Sequence, residues 1–408
     1  MPYIPKIRRT HIKSRTGCST CKKHKVRCDE YKPECTRCRR LNLSCGYTEQ
    51  GSQQPGQHSL LATNPGDTLA LVYPPLADLP DIQLRDRCIF AHVARMIHRV
   101  EECQSHELAF GTLVLPEILK IAVSYDFVRH GVCTLGARHL ALLTRSASMV
   151  YVEYHHRGVA LKGLRQCLET FSEEHIEAVI AASLLLSWQA PKSDEYAHTM
   201  QGICSVLHQV KTERYRSTFS HLLLPSKNTE IATQLAQMDP DTLLDRAEQA
   251  MSEMQQALGR SESYRGISLG IKELKIYVTN LRMQGSNPPS THRQLTTLFP
   301  IRNWMFWIPN AFEQLARKDP FTMLFFACYE MIHLAIAPLL PAGNLPLALS
   351  IRPKFIERIN SEFLVLAQSV MDAGQFPLED VASTLQLFRN LMAGPLRYAK
   401  LYNETSIN

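Results

Sequence analysis

Six cysteines crowd into 28 residues near the start of this chain: Cys18, Cys21, Cys28, Cys35, Cys38 and Cys45. Their spacing is C-x2-C-x6-C written twice, joined by a further six-residue gap. The x2 gap lets one loop grip a metal with two sulfurs, and the x6 gap leaves room for a short helix before a third sulfur returns. Zinc prefers four tetrahedral ligands and accepts thiolate. Six thiolates cannot give two ions four private ligands each, so a two-ion site must share two sulfurs. A single four-cysteine site is the alternative, and it leaves two cysteines over. A segment this short has almost no apolar core, so metal binding must supply most of its folding free energy. A disulfide framework is the bland competitor. The chain opens Met1-Pro2-Tyr3-Ile4-Pro5-Lys6 rather than with an apolar export segment, which leads us to expect a reducing compartment, where disulfides rarely persist.

Charge is partitioned with the cysteines. The whole chain carries a formal +7, yet residues 1–50 hold 13 Lys/Arg against 4 Asp/Glu, a local +9, and the remainder sums to −2. Two Zn2+ and six thiolates together add −2, so a loaded cluster stays near +7. Such concentrated basicity is the footprint of a phosphate-binding surface. Lys22, Lys23, His24, Lys25 and Arg27 fill the first gap, and Lys13 and Arg15 belong to a basic arm at residues 1–17.

The run from Thr16 and Gly17 through Cys18-Ser19-Thr20-Cys21-Lys22-Lys23-His24-Lys25-Val26-Arg27-Cys28, continuing with Pro33, Cys35, Cys38 and Cys45, resembles the fungal Zn(2)-Cys(6) binuclear cluster transcription factors. Every cysteine interval agrees, as does the proline two before the fourth cysteine. The resemblance implies two Zn2+, with Cys18 and Cys35 bridging them. It implies that the first short helix enters the major groove of double-stranded DNA, at a CGG-type triplet. Lys25 matches the family's base-reading lysine, while Lys22 and Arg27 match phosphate-contact positions. His24 stands where many members carry Arg or Lys. Phosphate contacts supply affinity and base contacts supply specificity.

From residue 46 to residue 80 the composition shifts to Gly, Pro, Gln and Ser, with Gly51, Pro55, Gly56, Pro65, Gly66, Pro74, Pro75 and Pro80 forbidding a continuous helix. We read residues 18–45 as the DNA-binding domain, 46–80 as a linker and 81–408 as a large all-α regulatory domain. No leucine heptad follows the cysteines, so a coiled-coil dimer at that place is not supported. In the all-α part, apolar residues at three- and four-residue intervals predict helices over 82–100, 132–143, 151–171, 176–188, 196–210, 229–238, 241–258, 271–283, 321–337, 351–371 and 378–391. Pro116 is expected to open a helix over 117–128. Ser172 with Glu173 and Glu174 looks like a helix cap. The 151–171 helix is expected to carry Val159, Leu161, Leu164 and Leu168 on one side. The 176–188 segment is apolar nearly all round and so is expected to be buried. Residues 323–341 are the nearest approach to a membrane span, but Glu330, His333 and Pro338 make a buried helix the better reading.

Several weaker signals are weighed against plain structure. Gly266-Ile267-Ser268-Leu269-Gly270 fits the hydrolase G-x-S-x-G pattern, which needs a strand before it and a helix after it; helical sequence precedes it here. His155 and His156 have no acidic or cysteine partner at ligand spacing and read as surface or capping residues. Trp304 and Trp307 read as core packing rather than a pocket lining. Residues 239–253 read as an amphipathic helix rather than an acidic activation segment. The other six cysteines, Cys88, Cys103, Cys133, Cys167, Cys204 and Cys328, read as buried thiols.

A more diffuse resemblance links Arg8 through Gly17, then His139-Leu140-Ala141, Tyr154 through Leu161 and Ala182 through Trp188 to the sterol uptake control subfamily. It implies a helical regulatory domain that can hold an apolar ligand. The expected protein is a small binuclear zinc cluster plus a large all-α regulatory domain. It is a nuclear, sequence-specific DNA-binding regulator working with the transcription machinery, with no membrane role and no catalytic residue. A metabolic or secondary-metabolite gene cluster is its expected target. A ligand-gated sterol response is the alternative, and a serine hydrolase using Ser268 a remote one. Without an adjacent coiled coil, the chain binds one triplet as a monomer or dimerises through the helical domain.

Overall fold

The computed structural model describes residues 17–26, 28–30, 35–41, 43, 45, 83–105, 108–209, 219, 240–259, 264–283, 290–303, 308, 310–340, 351–373 and 378–404. Residues 1–16 of the basic arm, the linker, Arg27, the segment 229–238, Trp304 and Trp307 lie outside the described residues. Two compact units separate, Met1–Thr63 and Asn64–Asn408, and the division falls inside the Gly/Pro-rich segment. Among the described residues there is no strand.

The first unit holds two five-residue helices, α1 (Ser19–Lys23) and α2 (Thr36–Arg40). The second begins with α3 (Leu84–Glu102), α4 (Phe110–Ser124), α5 (Asp126–Thr144), α6 (Ala147–Glu169), α7 (Ile176–Trp188) and α8 (Ser193–Gln209). It continues with α9 (Pro240–Leu258), α10 (Arg265–Met283), α11 (Thr291–Leu298), α12 (Ala311–Ala316), α13 (Pro320–Ile336), α14 (Arg352–Ala373) and α15 (Leu378–Glu404).

Two helices form the axes of this larger unit. Helix α7 is buried at Ile176 and at every position from Ala178 to Ser187, as its all-round apolar sequence predicts, and α5, α6 and α8 pack about it. Helix α13 is buried throughout Thr322–Ile336. Its neighbours are α9, α10, α14 and α15. The start of α13 is set locally: Pro320 stands in the first turn, and Asp319 accepts from the Thr322 N–H at 2.8 Å and from its hydroxyl at 2.7 Å. Helix α12 packs on α3 and on α13, tying the two groups into one continuous apolar core. No described helix is long and apolar enough to cross a membrane.

Two buried arginines have acidic partners. Arg157 of α6 reaches Glu195 of α8 and donates to the Leu186 and Gln189 carbonyls at 3.2 and 3.3 Å. Arg352 pairs with Glu330, both deeply buried, which explains how the acidic residue interrupting the 323–341 run is accommodated. Each pair compensates for desolvation that an isolated buried charge could not bear.

Several expectations are corrected by packing. Pro116 does not open a helix; it lies buried inside α4, which runs from Phe110 to a break at Tyr125. Gly111, Thr112, Val114 and Leu115 are buried ahead of it, so core contacts extend the helix through a residue that disfavours it. Ser172 precedes a three-residue 3-10 turn, Glu173–His175, and its hydroxyl meets His175 Nδ1 at 3.1 Å instead of capping a backbone N–H. Helix α10 begins at Arg265, so the whole Gly266–Gly270 pattern is helical and no strand-to-helix elbow presents Ser268. His155 is exposed but His156 is fully buried, with its Nδ1 at 2.7 Å from His130 Nδ1 and its Nε2 at 3.3 Å from Asp86. In α6, Leu164 faces the core whereas Leu161 and Leu168 are exposed. Cys133 and Cys328 are buried thiols, while Cys88, Cys103, Cys167 and Cys204 are only partly covered. Residues 241–253 lie in α9, whose Leu243, Leu244, Ala247, Ala250 and Met251 are buried, as an amphipathic helix requires.

Candidate metal centre and nucleic-acid interface

The doubled cysteine pattern folds as a doubled structure. In the first half Cys18 is the N-cap of α1, and its Sγ accepts from the Cys21 N–H at 3.3 Å. In the second half Cys35 is the N-cap of α2, and its Sγ accepts from the Cys38 N–H at 3.5 Å. Each C-x2-C thus places two sulfurs at a helix N-terminus, where backbone N–H groups favour negative charge.

Both helices end alike. Val26 N–H reaches the Cys21 carbonyl at 3.1 Å, and Leu43 N–H reaches the Cys38 carbonyl at 2.9 Å. In the first half Lys25 N–H also bonds the Lys22 carbonyl at 3.1 Å, completing a Schellman closure with Lys25 in the left-handed region at φ 51°. That position ordinarily takes glycine, and a lysine there costs roughly 1 kcal/mol. Among the described residues, Val26 and Leu43, at equivalent positions of the two halves, pack on the sulfurs.

All six cysteines are buried and free. Their sulfurs fall into two quartets, Cys18/Cys21/Cys28/Cys35 and Cys18/Cys35/Cys38/Cys45, each with all ligand atoms within 4.8 Å of one another. Cys18 and Cys35 belong to both. The sulfur separations Cys18–Cys35 and Cys18–Cys38 are 3.8 Å, and Cys21–Cys35 is 3.6 Å. A tetrahedral zinc with bonds of about 2.3 Å needs sulfur–sulfur edges of about 3.8 Å. A disulfide would need about 2.05 Å. The donor set and its spacing fit two zinc ions sharing two thiolates, and this ligand arithmetic leaves no cysteine over.

The thiols perturb one another strongly. Burial pushes Cys38 up to about 12 and raises Cys21 and Cys35 as well. For Cys18 burial also acts upward, but the Cys21 N–H and the neighbouring thiols outweigh it and bring the group down to about 6. Zinc supplies the positive charge that lets all six exist as thiolates together.

One residue that the sequence reading missed locks the halves together. Asp29 follows the third cysteine, and both its carboxylate oxygens lie 3.2 Å from the Thr36 N–H at the start of α2. An acid in the first turn's vicinity satisfies an orphan donor and complements the helix dipole. Its signal in the sequence was only an acidic residue in a basic stretch. Cys35 N–H similarly donates to Cys45 Sγ at 3.3 Å, and Glu30 N–H to Cys28 Sγ at 3.4 Å.

The basic residues take the outer face. Lys22, Lys23, His24 and Lys25 are all exposed, at the C-terminal end of α1 and in the turn after it. The left-handed conformation of Lys25 turns its side chain out of the helical path. Arg27, Lys13 and Arg15, the remaining candidate DNA contacts, lie outside the described residues. Arg39 and Arg40 of α2 are exposed as well.

Comparison with known proteins now bears on this module. Residues 16–54 match the fungal Zn(2)-Cys(6) binuclear cluster domain. Sterol uptake control protein 2 of Candida albicans is 56% identical over 43 residues, covering 10% of this chain and 6% of that protein. A longer match joins the chain to a Zn(2)-C6 fungal-type transcription factor, afumD, of Aspergillus fumigatus: 28% identity over 188 residues, 44% of this chain and 47% of the relative. The aspercryptin biosynthesis cluster-specific transcription regulator atnN of Emericella nidulans is 28% identical over 176 residues, 39% of this chain and 28% of that protein. The chain spans less than half the length of each of these relatives. No solved structure matches it significantly. The cysteine module is a Zn(2)-Cys(6) binuclear cluster domain of the fungal type, which binds two zinc ions.

Proposed function

We propose that the chain is a sequence-specific regulator of transcription that binds double-stranded DNA through its zinc cluster and acts in the nucleus. The observation that carries this reading is the exposed basic run Lys22–Lys25 on the outer face of a module whose six cysteines are all turned inward. In this reading Lys25 reads base edges in the major groove, at a CGG-type triplet. Lys22, Lys23 and His24 hold the phosphates, joined by Arg27, Lys13 and Arg15. Bidentate donation by lysine to guanine O6 and N7 is a common specific contact.

The relatives support a finer assignment. The A. fumigatus and E. nidulans proteins match over spans several times longer than the cluster domain, so the likeness reaches into the helical unit. One of them is named a regulator of a single biosynthetic gene cluster. We assign this chain the same kind of task, control of a metabolic or secondary-metabolite gene cluster.

Mapping the binding sites of the zinc-loaded full chain across its genome tests both levels. Enrichment of CGG-type triplets near one biosynthetic cluster is the expected result. Binding without sequence preference would overturn the first level, and sites spread among sterol genes would replace the second. Lys25→Ala should remove most discrimination between cognate and scrambled DNA while the zinc content stays at two per chain.

A further inference from the structure

Two histidines of the helical unit meet nitrogen to nitrogen. His130 of α5 and His156 of α6 bring their Nδ1 atoms to 2.7 Å, with ring centroids 4.9 Å apart. Each ring turns its other nitrogen toward an acid. His156 Nε2 lies 3.3 Å from Asp86 Oδ1, in the first turn of α3, and His130 Nε2 lies 3.6 Å from Asp126 Oδ2, one turn back on α5. Arg85 and Arg129 pair with those two carboxylates, and an ionised carboxylate can only accept.

The protons of this row do not add up. A carboxylate favours N–H on the nitrogen facing it, since a bare lone pair there would meet negative charge. This holds at His156 although its contact with Asp86 is too poorly aligned to be a hydrogen bond. A neutral imidazole has one N–H. If both are spent on the outer nitrogens, two lone pairs face each other across the 2.7 Å gap. If one moves inward to bridge the rings, a bare Nε2 faces a carboxylate. Two neutral rings therefore fall one positive charge short of satisfying the row. A third proton would supply it, but burial opposes a charged ring, and Arg85, Arg129 and His155 add to that effect. His130 is lowered and His156 is brought down to about 4, against the opposing pull of Asp126 and Asp86.

A metal ion supplies the same charge and leaves the rings neutral. Imidazole suits zinc and its divalent neighbours. A ligating histidine almost always donates its other N–H to a carboxylate, carbonyl or water, and Asp86 and Asp126 stand in those outer positions. Two imidazoles on one tetrahedral zinc hold their nitrogens about 3.4 Å apart, so a widening of about 0.7 Å seats the ion. Among the described residues no third His, Cys, Asp or Glu atom joins the two nitrogens within 4.8 Å, so water completes the shell. The His130 side chain is 21% exposed and that of Asp126 66%, whereas His156 is sealed, so ion and water enter beside His130.

We propose that His130 and His156 form a second metal site, for a divalent ion of the zinc class, which ties α5 to α6 and, through Asp86, to the start of α3. The inference goes beyond the DNA-binding reading and stands without it. With two protein ligands the site is far weaker than the thiolate cluster. The chain as isolated therefore carries its two cluster ions and takes a third only when zinc is in excess.

Equilibrium dialysis of the cluster-loaded full chain against rising concentrations of Zn2+ tests the proposal. Three ions per chain are expected at saturation. The third should raise the melting temperature of the helical unit, because an ion that binds only the folded state stabilises it. His130→Gln, on the less covered ring, should hold two ions and melt independently of added zinc. Asp86→Asn should weaken the third ion roughly tenfold or more without abolishing it. His92→Gln, at the other buried histidine pair, should leave it in place. Saturation at two ions, a melting temperature unmoved by zinc, an unchanged affinity in Asp86→Asn, or a third ion that survives His130→Gln or is lost equally in His92→Gln would overturn the proposal.

Discussion

The two units of this protein are folded by different forces. The helical unit is organised around α7 and α13, whose side chains are almost wholly buried, and hydrophobic burial drives its collapse. Among the described residues of the cluster unit, Val26 and Leu43 are the hydrophobic side chains packed against its sulfurs. Its order comes from six converging thiolates, two sulfur-capped helices and the Asp29 clasp. One unit distributes its stability over scores of contacts, whereas the other concentrates it in a few irreplaceable atoms. Single substitutions should therefore be graded in the first and all-or-none in the second.

The largest expected effect tests that contrast directly. Cys35→Ala removes a ligand common to both quartets and should abolish binding of both zinc ions and of DNA, with the melting of the helical unit unchanged. Cys45→Ala, which touches one quartet, should lose at least one zinc and serves as the comparison. Zinc analysis alongside thermal melting reads both. If Cys35→Ala retained one tightly held zinc, the sharing of sulfurs would be wrong.

Phe325→Ala probes the other side. Phe325 is fully buried in α13, against Gly270 of α10, where an added Cβ would stand 2.7 Å from its ring. Its truncation should cost the helical unit about 3–5 kcal/mol and leave the zinc stoichiometry at two. Denaturant unfolding followed by helical circular dichroism would measure the loss.

Acid should weaken both units for different reasons. Burial brings His92 down to about 3 and His156 down to about 4, with Asp86 opposing the shift at His156. The folded unit favours neutral rings, while the unfolded chain protonates them near pH 6.5. The stabilisation is therefore complete above about pH 6.5 and is lost as pH falls toward those depressed values, by about 1.4 kcal/mol per pH unit for each histidine. His92→Gln should flatten the melting temperature between neutral and acid pH. The cluster fails in acid because protons compete with zinc for thiolate, so zinc release followed by a chromogenic chelator separates the two transitions.

The smallest effect is at Lys25. Replacing it by glycine relieves a left-handed lysine at φ 51° and should stabilise the turn by about 1 kcal/mol. Specific DNA binding should nonetheless fall as it does for Lys25→Ala. Zinc retention under chelator challenge, compared between the two variants, isolates the backbone term from the base contact.

Much of the cluster was legible in the linear sequence because its chemistry is local. Two half-patterns with fixed gaps permit few ways to place six sulfurs around two ions, and basic residues in the first gap have nowhere to go but outward. Asp29 escaped notice because its partner, Thr36, lies in the other half, and the strained turn at Lys25 because lysine gives no hint of a left-handed backbone. In the helical unit the strongly periodic segments appear nearly where expected, and α7 matches residue for residue. Pro116 and the start of α10 do not, because core contacts outweighed local propensity. His156 changed meaning entirely: a surface residue by spacing, it is buried because α3 and α5 bring Asp86 and His130 to it.

The sequence by itself determined the number and kind of metal ligands, the sign and place of the excess charge, and the helical character of the rest. Those properties follow from residue type, spacing and period, which are one-dimensional. Only the tertiary structure decided that Lys25 sits in a left-handed turn, that Asp29 clasps α2, and that the tyrosines and leucines of one face of α6 stay outside the core. Each of those depends on which distant residues meet, a matter settled by how the elements pack.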